Sequence, residues 1–381
     1  MRRPVGRSEL DQARGRRLRG GVGLAALAGL AWVARDVPAA LGGRLTGARA
    51  ERAARSPQFR DGTFHNRAST RTMVADPGRN LLWELVFGKQ QRRPRSAVPL
   101  LRPAEPPATD ADRQLNVVWY GHASALIEIE GRRVLLDPVW SERCSPSAVV
   151  GPRRLHEPPV RLDELPPVDA ILISHDHYDH LDMATVRALL ASQSAPFLVP
   201  LGVGAHLDRW GVPADRIVEL DWSECHRLAG LEITATAAQH FSGRGLRRDG
   251  TLWSSWVIAG ARRKVFYTGD SGYFDGYAEI GAEHGPFDVT LMQIGAYDRA
   301  WPSIHMFPEE AVSAHLDLRG GLLIPVHWAT FNLALHDWSE PVDRLWAEAK
   351  ARDVRLAVPR PGERVVVDDP PAVDGWWQSV A

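Results

Sequence analysis

Ser174-His175-Asp176-His177-Tyr178-Asp179-His180 follows directly on the apolar run Ala170-Ile171-Leu172-Ile173, and these eleven residues decide how the rest of the chain is read. Positions 175 to 180 hold three histidines and two aspartates, so imidazole nitrogens and carboxylate oxygens are concentrated in one turn. Those are ligand types that zinc takes at about 2.0–2.2 Å. A short apolar run ending in such a turn reads as a buried strand leading into a loop. If the chain leaves the strand extended, side chains two apart share a face, so His175, His177 and Asp179 converge while His180 reaches the same region from the following turn. The plain alternative is a His-rich surface loop before a helix. The pattern HxHxDH is far more specific than a lone HxH.

Working outward, other apolar runs end in the same residue types. Residues 233–237 lead to Gln239-His240, 265–269 to Asp270, and 322–326 to His327. In layered α/β folds the loops beyond strand carboxyl ends share one rim, where ligands bind. His240 or His327 alone would read as a packing histidine; both following strands beside the His loop reads as a shared cage. Upstream, 116–120, 125–129 and 134–136 read as an antiparallel start joined at Glu130-Gly131-Arg132. Further strands are expected at 197–199, 217–220, 231–237, 256–258, 264–267, 289–292 and 322–326. Helices are expected at 182–191, with Asp182 as cap, and at 202–210, 308–317 and 341–352. This mixture is α/β, with no repeat period.

Composition excludes some partners. Lys+Arg and Asp+Glu are 46 each in 381 residues, so no global field favours nucleic acid. Cys144 and Cys225 are too few for a disulfide framework or a Cys-rich zinc site, so a metal must use His and carboxylate. Residues 1–19 carry seven arginines and run into the apolar stretch 20–34. A bilayer span takes about 20 apolar residues, so residues 1–50 read as an export signal with a small-residue pattern near Val37-Pro38-Ala39, an uncleaved anchor, or a flexible tail. Residues 51–110 read as an Arg/Pro-rich wrap. Its one apolar island, Leu81-Leu82-Trp83-Glu84-Leu85-Val86-Phe87, is bordered by Arg79 and Lys89 and suits either a membrane interface or a helix packed on the main domain. Residues 111–370 form the main domain. A membrane-associated or exported protein is expected, on a side the sequence does not specify.

In these residues the chain resembles the metallo-β-lactamase fold superfamily, and within it the N-acylphosphatidylethanolamine-hydrolysing phospholipase D-like branch. The branch is carried by Tyr120-Gly121-His122-Ala123-Ser124, Leu136-Asp137-Pro138, Gly151-Pro152-Arg153-Arg154, Gln239-His240-Phe241, Trp253-Ser254-Ser255-Trp256, Gly269-Asp270-Ser271-Gly272-Tyr273 and Ile294-Gly295-Ala296-Tyr297, over about residues 57–367. The resemblance implies an αββα sandwich. It also implies two Zn²⁺ ions, one held by His175, His177 and His240, the other by Asp179, His180 and His327, with Asp270 bridging. The implied activity is a phosphodiesterase of phospholipase D type, hydrolysing N-acylphosphatidylethanolamine-like phospholipids by attack of a hydroxide shared by the two metals. A lactonase or other hydrolase on the same metals, or a membrane-tethered non-catalytic metal-binding protein, are the alternatives.

Asp179 and His305 are the implied catalytic residues. His305 matches a position the related family uses near the substrate phosphate, for phosphate contact or proton delivery, against a loop histidine capping a helix. Asp137 reads either as the acceptor that fixes a ligand imidazole or as a turn-forming Asp-Pro. His122 stands between the layer behind the ligands and the core. Tyr178 reads as packing, and Trp301, Trp328 and Phe331 as an apolar acyl groove or as core. His156, His206, His226, His284, His315 and His336 read as surface or packing.

Overall fold

A computed structural model describes residues 35–68, 70, 72–74, 76, 78–103 and 114–381. The expectations for residues 1–34, and the part of the Arg/Pro-rich wrap at 104–110, therefore lie outside the described residues. Two short helices, α1 (Val37–Ala40) and α2 (Gly47–Ala53), precede a hairpin of β1 (Phe59–Arg60) and β2 (Thr63–Phe64) and the helix α3 (Leu81–Phe87). Strands β3 (Leu115–Gly121), β4 (Ser124–Ile129) and β5 (Arg132–Leu136) then form an antiparallel meander. Parallel strands β6 (Ala170–Leu172), β7 (Phe197–Pro200) and β8 (Ile217–Leu220) extend it, with α4 (Met183–Ser192) and α5 (Gly204–Trp210) in the crossovers.

A second sheet opens with antiparallel β9 (Cys225–Leu228), β10 (Leu231–Thr236), β11 (Ser255–Ala259) and β12 (Lys264–Tyr267). It turns parallel at β13 (Phe287–Gln293) and β14 (Gly320–Val326), reached through α6 (Gly276–His284) and α7 (Pro308–Asp317). Helix α8 (Glu340–Ala351) follows, and β15 (Arg364–Val366) returns to pair with β3. The result is a seven-stranded and a six-stranded sheet with helices outside: the α/β sandwich that the resemblance implied.

The layering follows from period-two alternation. Val117, Trp119, Ile127, Val134, Leu136 and Leu172 point into the core shared with Ile233, Ala235 and Val257 of the second sheet. Their neighbours Val118, Tyr120, Leu126, Leu135 and Ile171 point the other way, onto Val186 and Leu189 of α4 and Leu207 and Trp210 of α5. Strands buried on both faces read as continuous apolar runs, as 170–173 did. Asp182 caps α4, accepting from the Ala184 and Thr185 N–H groups at 3.2 and 3.3 Å.

Sequence patterning missed α2, the β1–β2 hairpin, α6, β9 and β15. Helix α2 lies in Arg/Gly/Ala-rich text without strong periodicity, the hairpin strands are only two residues each, and β9 and β15 are edge strands whose partly exposed residues carry little apolar signal. Of the two readings of Trp328, acyl groove or core, the structure shows the second. Trp328 stacks on Trp119 in the core, ring centroids 5.6 Å apart, and does not face the cleft described below.

Candidate metal centre

Each of the seven candidate ligands follows the end of a strand. His175, His177, Asp179 and His180 follow β6, His240 follows β10, Asp270 follows β12 and His327 follows β14; all seven meet at one rim of the two sheets. His305 comes from the loop between β13 and α7 and joins them.

Two groups of donors face each other. In the first, Nε2 of His175 and Nε2 of His240 lie 2.8 and 3.3 Å from Nδ1 of His177. In the second, Nε2 of His327 lies 3.1 Å from Asp179 Oδ2 and Nε2 of His180 lies 3.5 Å from it. Asp270 stands between the groups. Its Oδ2 is 3.2 Å from His180, 3.1 Å from His327 and 3.8 Å from both His175 and His240. The side chains that the resemblance assigns to each group thus lie near one another in space. His122, which the sequence left between the layer behind the ligands and the core, has its Nε2 2.9 Å from Asp179 Oδ2 and so sits against this cluster.

The donor chemistry fits divalent cations. Imidazole nitrogens facing one another at such distances repel through their lone pairs unless a proton or cation lies between them. Nε2 of His180 and Oδ1 of Asp270 are buried without a hydrogen-bond partner among the described residues. Six histidine and carboxylate donors with a seventh shared carboxylate match the tastes of zinc, and imidazole with carboxylate serves iron as well.

Electrostatics divide the histidines. Burial holds His175, His177 and His240 below the usual imidazole range, so they are neutral and able to ligate. Burial also disfavours charge on His180 and His327, but Asp270, with Asp179, outweighs it and raises both, His327 to about 9. Burial would raise Asp179 and Asp270, yet His180 and its neighbours hold both carboxylates well below their usual range. The site therefore keeps two anionic carboxylates among imidazoles, as a cation-binding cage requires.

Behind the donors lies a layer that orients them. The Nδ1–H of His180 donates to Asp137 Oδ2 at 2.6 Å, which leaves Nε2 free to face the cluster. Asp137 also accepts from the Ser174 N–H at 2.7 Å, from the Ser174 hydroxyl and from the Tyr267 hydroxyl. The His240 Nδ1–H donates to the Ile304 carbonyl at 2.8 Å, and Asn66 brackets the His240 backbone, donating to its carbonyl at 2.8 Å and accepting from its N–H at 3.1 Å. His122, Asp137 and His327 adopt left-handed backbone, φ 50°, 35° and 64°. Each costs about 1–2 kcal/mol for a residue other than glycine, a concentration of strain typical of functional sites.

The cluster opens into a cleft of about 330 Å³. His177, Asp179, Asp270, His305 and His327 form its floor, and Met73, Trp301, Ile304 and Leu333 give apolar walls. Arg248 stands at the mouth over the Phe241 ring, 4.1 Å from its centroid. Of the three aromatics proposed for a groove, only Trp301 lines the cleft; Phe331 packs edge-on against His122. Tyr178 turns away from the cleft onto Arg244, with 4.0 Å between guanidinium and ring centroid. Sequence reasoning gave no role to Asn66, Ser174, Phe241 or Arg248. Ser174 and Phe241 flank ligands and could have been found from that adjacency, whereas Asn66 lies in text with no signal.

Comparison with known proteins agrees with this picture. Residues 132–328 match the family described as the beta-lactamase superfamily domain. A protein of Mycobacterium tuberculosis is 53% identical over 371 residues, 95% of this chain and 99% of that one. The N-acyl-phosphatidylethanolamine-hydrolyzing phospholipase D 1 of Caenorhabditis elegans is 36% identical over 252 residues, 63% of this chain and 71% of that one. Among solved structures, an isothiocyanate hydrolase from Delia radicum gut bacteria superposes with a TM-score of 0.52 at 19% identity, over 66% of this chain and 98% of that one, a likeness of fold alone.

Proposed function

This chain belongs to the beta-lactamase superfamily, in the branch of the N-acylphosphatidylethanolamine-hydrolysing phospholipases D, and is a metal-dependent hydrolase; from that premise we propose that it is a dinuclear zinc phosphodiesterase of phospholipase D type acting on N-acylated ethanolamine phospholipids. The observation that carries the proposal is the entry of His305 into the ligand cluster. Its Nδ1 is buried without a partner among the described residues, 3.9 Å from Asp270, at the floor of a cleft with apolar walls.

His175, His177 and His240 would hold one cation, Asp179, His180 and His327 the other, with Asp270 shared. Two divalent cations bound there supply Lewis acidity toward phosphoryl oxygens and a water that ionises near pH 7. The chain's own part is positioning. Asp137 and the Ile304 carbonyl fix the tautomers of His180 and His240. Burial lowers His305 to about 4, so it is neutral at pH 7. A neutral imidazole there can donate one N–H to a phosphoryl oxygen and accept a proton at its other nitrogen. Arg248 adds a cation at the mouth for an anionic diester, and Met73, Trp301 and Leu333 offer apolar surface for an acyl chain.

The substrate class implies a membrane surface as partner. Among the described residues no helix is long and apolar enough to cross a membrane. Membrane association in this proposal rests on the basic and apolar segment 1–34 and on α3, where Trp83 and Phe87 are 58% and 64% exposed.

The test offers purified protein bis-p-nitrophenyl phosphate, an N-acylphosphatidylethanolamine and an acyl lactone, each with and without chelator. Chelator-sensitive cleavage of the two phosphodiesters is expected, and turnover of the lactone alone would overturn the proposal. His305→Ala should lower kcat on the phosphodiesters by about 10²–10⁴-fold and leave zinc content unchanged. Loss of zinc would instead make His305 a ligand.

A further inference from the structure

A single buried cation organises the histidine loop from behind. Arg244 is 5% exposed and has no carboxylate side chain bonded to it among the described residues. Its Nη1 donates to the carbonyls of Asp176 and Leu181 at 2.6 and 2.7 Å. Those two carbonyls bracket His177, Asp179 and His180, so one planar group ties both ends of the turn that presents them. The guanidinium lies between the rings of Tyr178, at 4.0 Å, and Trp210, at 4.9 Å, and the Tyr178 hydroxyl donates back to the Arg244 carbonyl at 2.7 Å. The Asp176 side chain turns away from the flanking histidines. It accepts from the Gly243 N–H at 2.7 Å and faces His206 Nε2 at 3.2 Å. The loop is thus gripped through backbone and side chain by the 243–244 segment and α5.

The third carbonyl on this guanidinium belongs to a distant part of the chain. Nε of Arg244 donates to Ala40, at the end of α1, at 2.8 Å. Trp210 Nε1 and Arg209 Nη2 hold the carbonyls of Ala39 and Pro38, each at 2.8 Å. The chain then runs against α5 so closely that a Cβ at Gly42 would lie 2.0 Å from His206 Nδ1, and one at Gly43 would lie 1.9 Å from the Ala205 carbonyl oxygen. Glycine is required where backbones approach this closely.

We propose that Arg244 is a positioning residue of the metal centre, clamping the loop 175–181, and that residues 37–43 are a latch that closes the clamp. Metal affinity then depends on a segment at the amino end, outside both sheets. This rests on reading the site as a metal centre. The arginine suits the task because its rigid fork satisfies carbonyls in fixed directions, whereas a lysine amine offers one point of attachment. The run Val37-Pro38-Ala39, which reads in the sequence as a cleavage pattern, forms part of the latch.

The experiment measures zinc affinity of the full-length protein by competition with a chromophoric chelator, and thermal midpoints with and without zinc. Arg244→Lys and Arg244→Met should each weaken zinc binding about 10–100-fold, the range seen when groups behind metal ligands are removed. Gly43→Val, which leaves Arg244 in place, should weaken it several-fold. The rise in midpoint on adding zinc should shrink in step. A residue that only packs would lower both midpoints alike and leave affinity untouched, so unchanged affinity in Arg244→Lys overturns the clamp and unchanged affinity in Gly43→Val overturns the latch. If Arg244→Met fails to fold, the other two variants decide. A parent protein that binds no zinc would instead remove the metal-centre reading, and the clamp with it.

Discussion

Asp137 shows how much of a metal centre lies behind its ligands. Its carboxylate accepts from His180, from Ser174 twice and from Tyr267, so four donors converge on one buried side chain. With φ at 35° it also turns the chain at the end of β5, which is why an Asp-Pro turn and a ligand-orienting acceptor were both legible at this position and the sequence could not choose. The structure places both features on the same residue. Asn tolerates left-handed backbone about as well as Asp, so Asp137→Asn keeps the turn and removes the charge that polarises His180. Zinc affinity is expected to fall about 10–100-fold with the fold retained, checked by chelator competition alongside near-ultraviolet circular dichroism. The candidate ligands were readable as a set because metal chemistry admits few residue types at fixed spacing, and the fold brings those residues together. Asn66 was not, because an asparagine holding the backbone of His240 from 174 positions away leaves no local pattern.

The strands that end in candidate ligands were legible because burial on both faces turns each into an apolar run, α4 because its Asp182 cap and spacing agree, and α7 and α8 because a proline in the first turn precedes helical spacing. The contact between α7 and β13 was not, since it depends on a histidine that resembles any surface one. His315 is 1% exposed, and its Nδ1 lies 2.7 Å from the Thr290 hydroxyl. Burial lowers its pKa from 6.5 to about 4. The unfolded chain therefore binds this proton more readily than the folded one. The stability the neutral ring contributes is complete above about pH 6.5 and is lost as pH falls from there toward 4, up to about 3 kcal/mol for this shift. His315→Gln, which keeps a hydrogen-bonding side chain but cannot titrate, should flatten the fall in thermal midpoint between pH 6.5 and 4 relative to the parent, measured on metal-free protein so that ligand protonation affects both alike.

The wrap before the first sheet connects the cleft to the outer surface of the molecule. Val74 donates to the Ala300 carbonyl at 2.7 Å, Met73 lines the cleft at 60% exposure, and Arg79 joins Asp298 to Glu84 in the first turn of α3. Helix α3 is thereby fixed to the loop that carries Trp301 and His305. On that helix the rings of Trp83 and Phe87 lie 5.6 Å apart, both more than half exposed. Exposed apolar side chains scattered singly need no explanation, but an aromatic pair on a short helix, with Lys89 and Arg93 just beyond it and the reactive cleft beside its anchor, has the composition of an interfacial anchor. If it seats the protein on anionic bilayers, its loss should separate two activities that share the same metal centre. Trp83→Ser with Phe87→Ser removes two rings that water already contacts, so the fold and the turnover of bis-p-nitrophenyl phosphate should stay as in the parent. Sedimentation with phosphatidylglycerol-containing vesicles should weaken by about 10-fold or more, given roughly 25 cal/mol per Å² for the apolar area withdrawn from the bilayer. Cleavage of N-acylphosphatidylethanolamine presented in those vesicles should fall with it, while the same lipid dispersed in detergent is cleaved normally. Equal loss in vesicles and detergent would place the two rings in the substrate path; no loss in either would leave α3 as packing for the Asp298 loop alone.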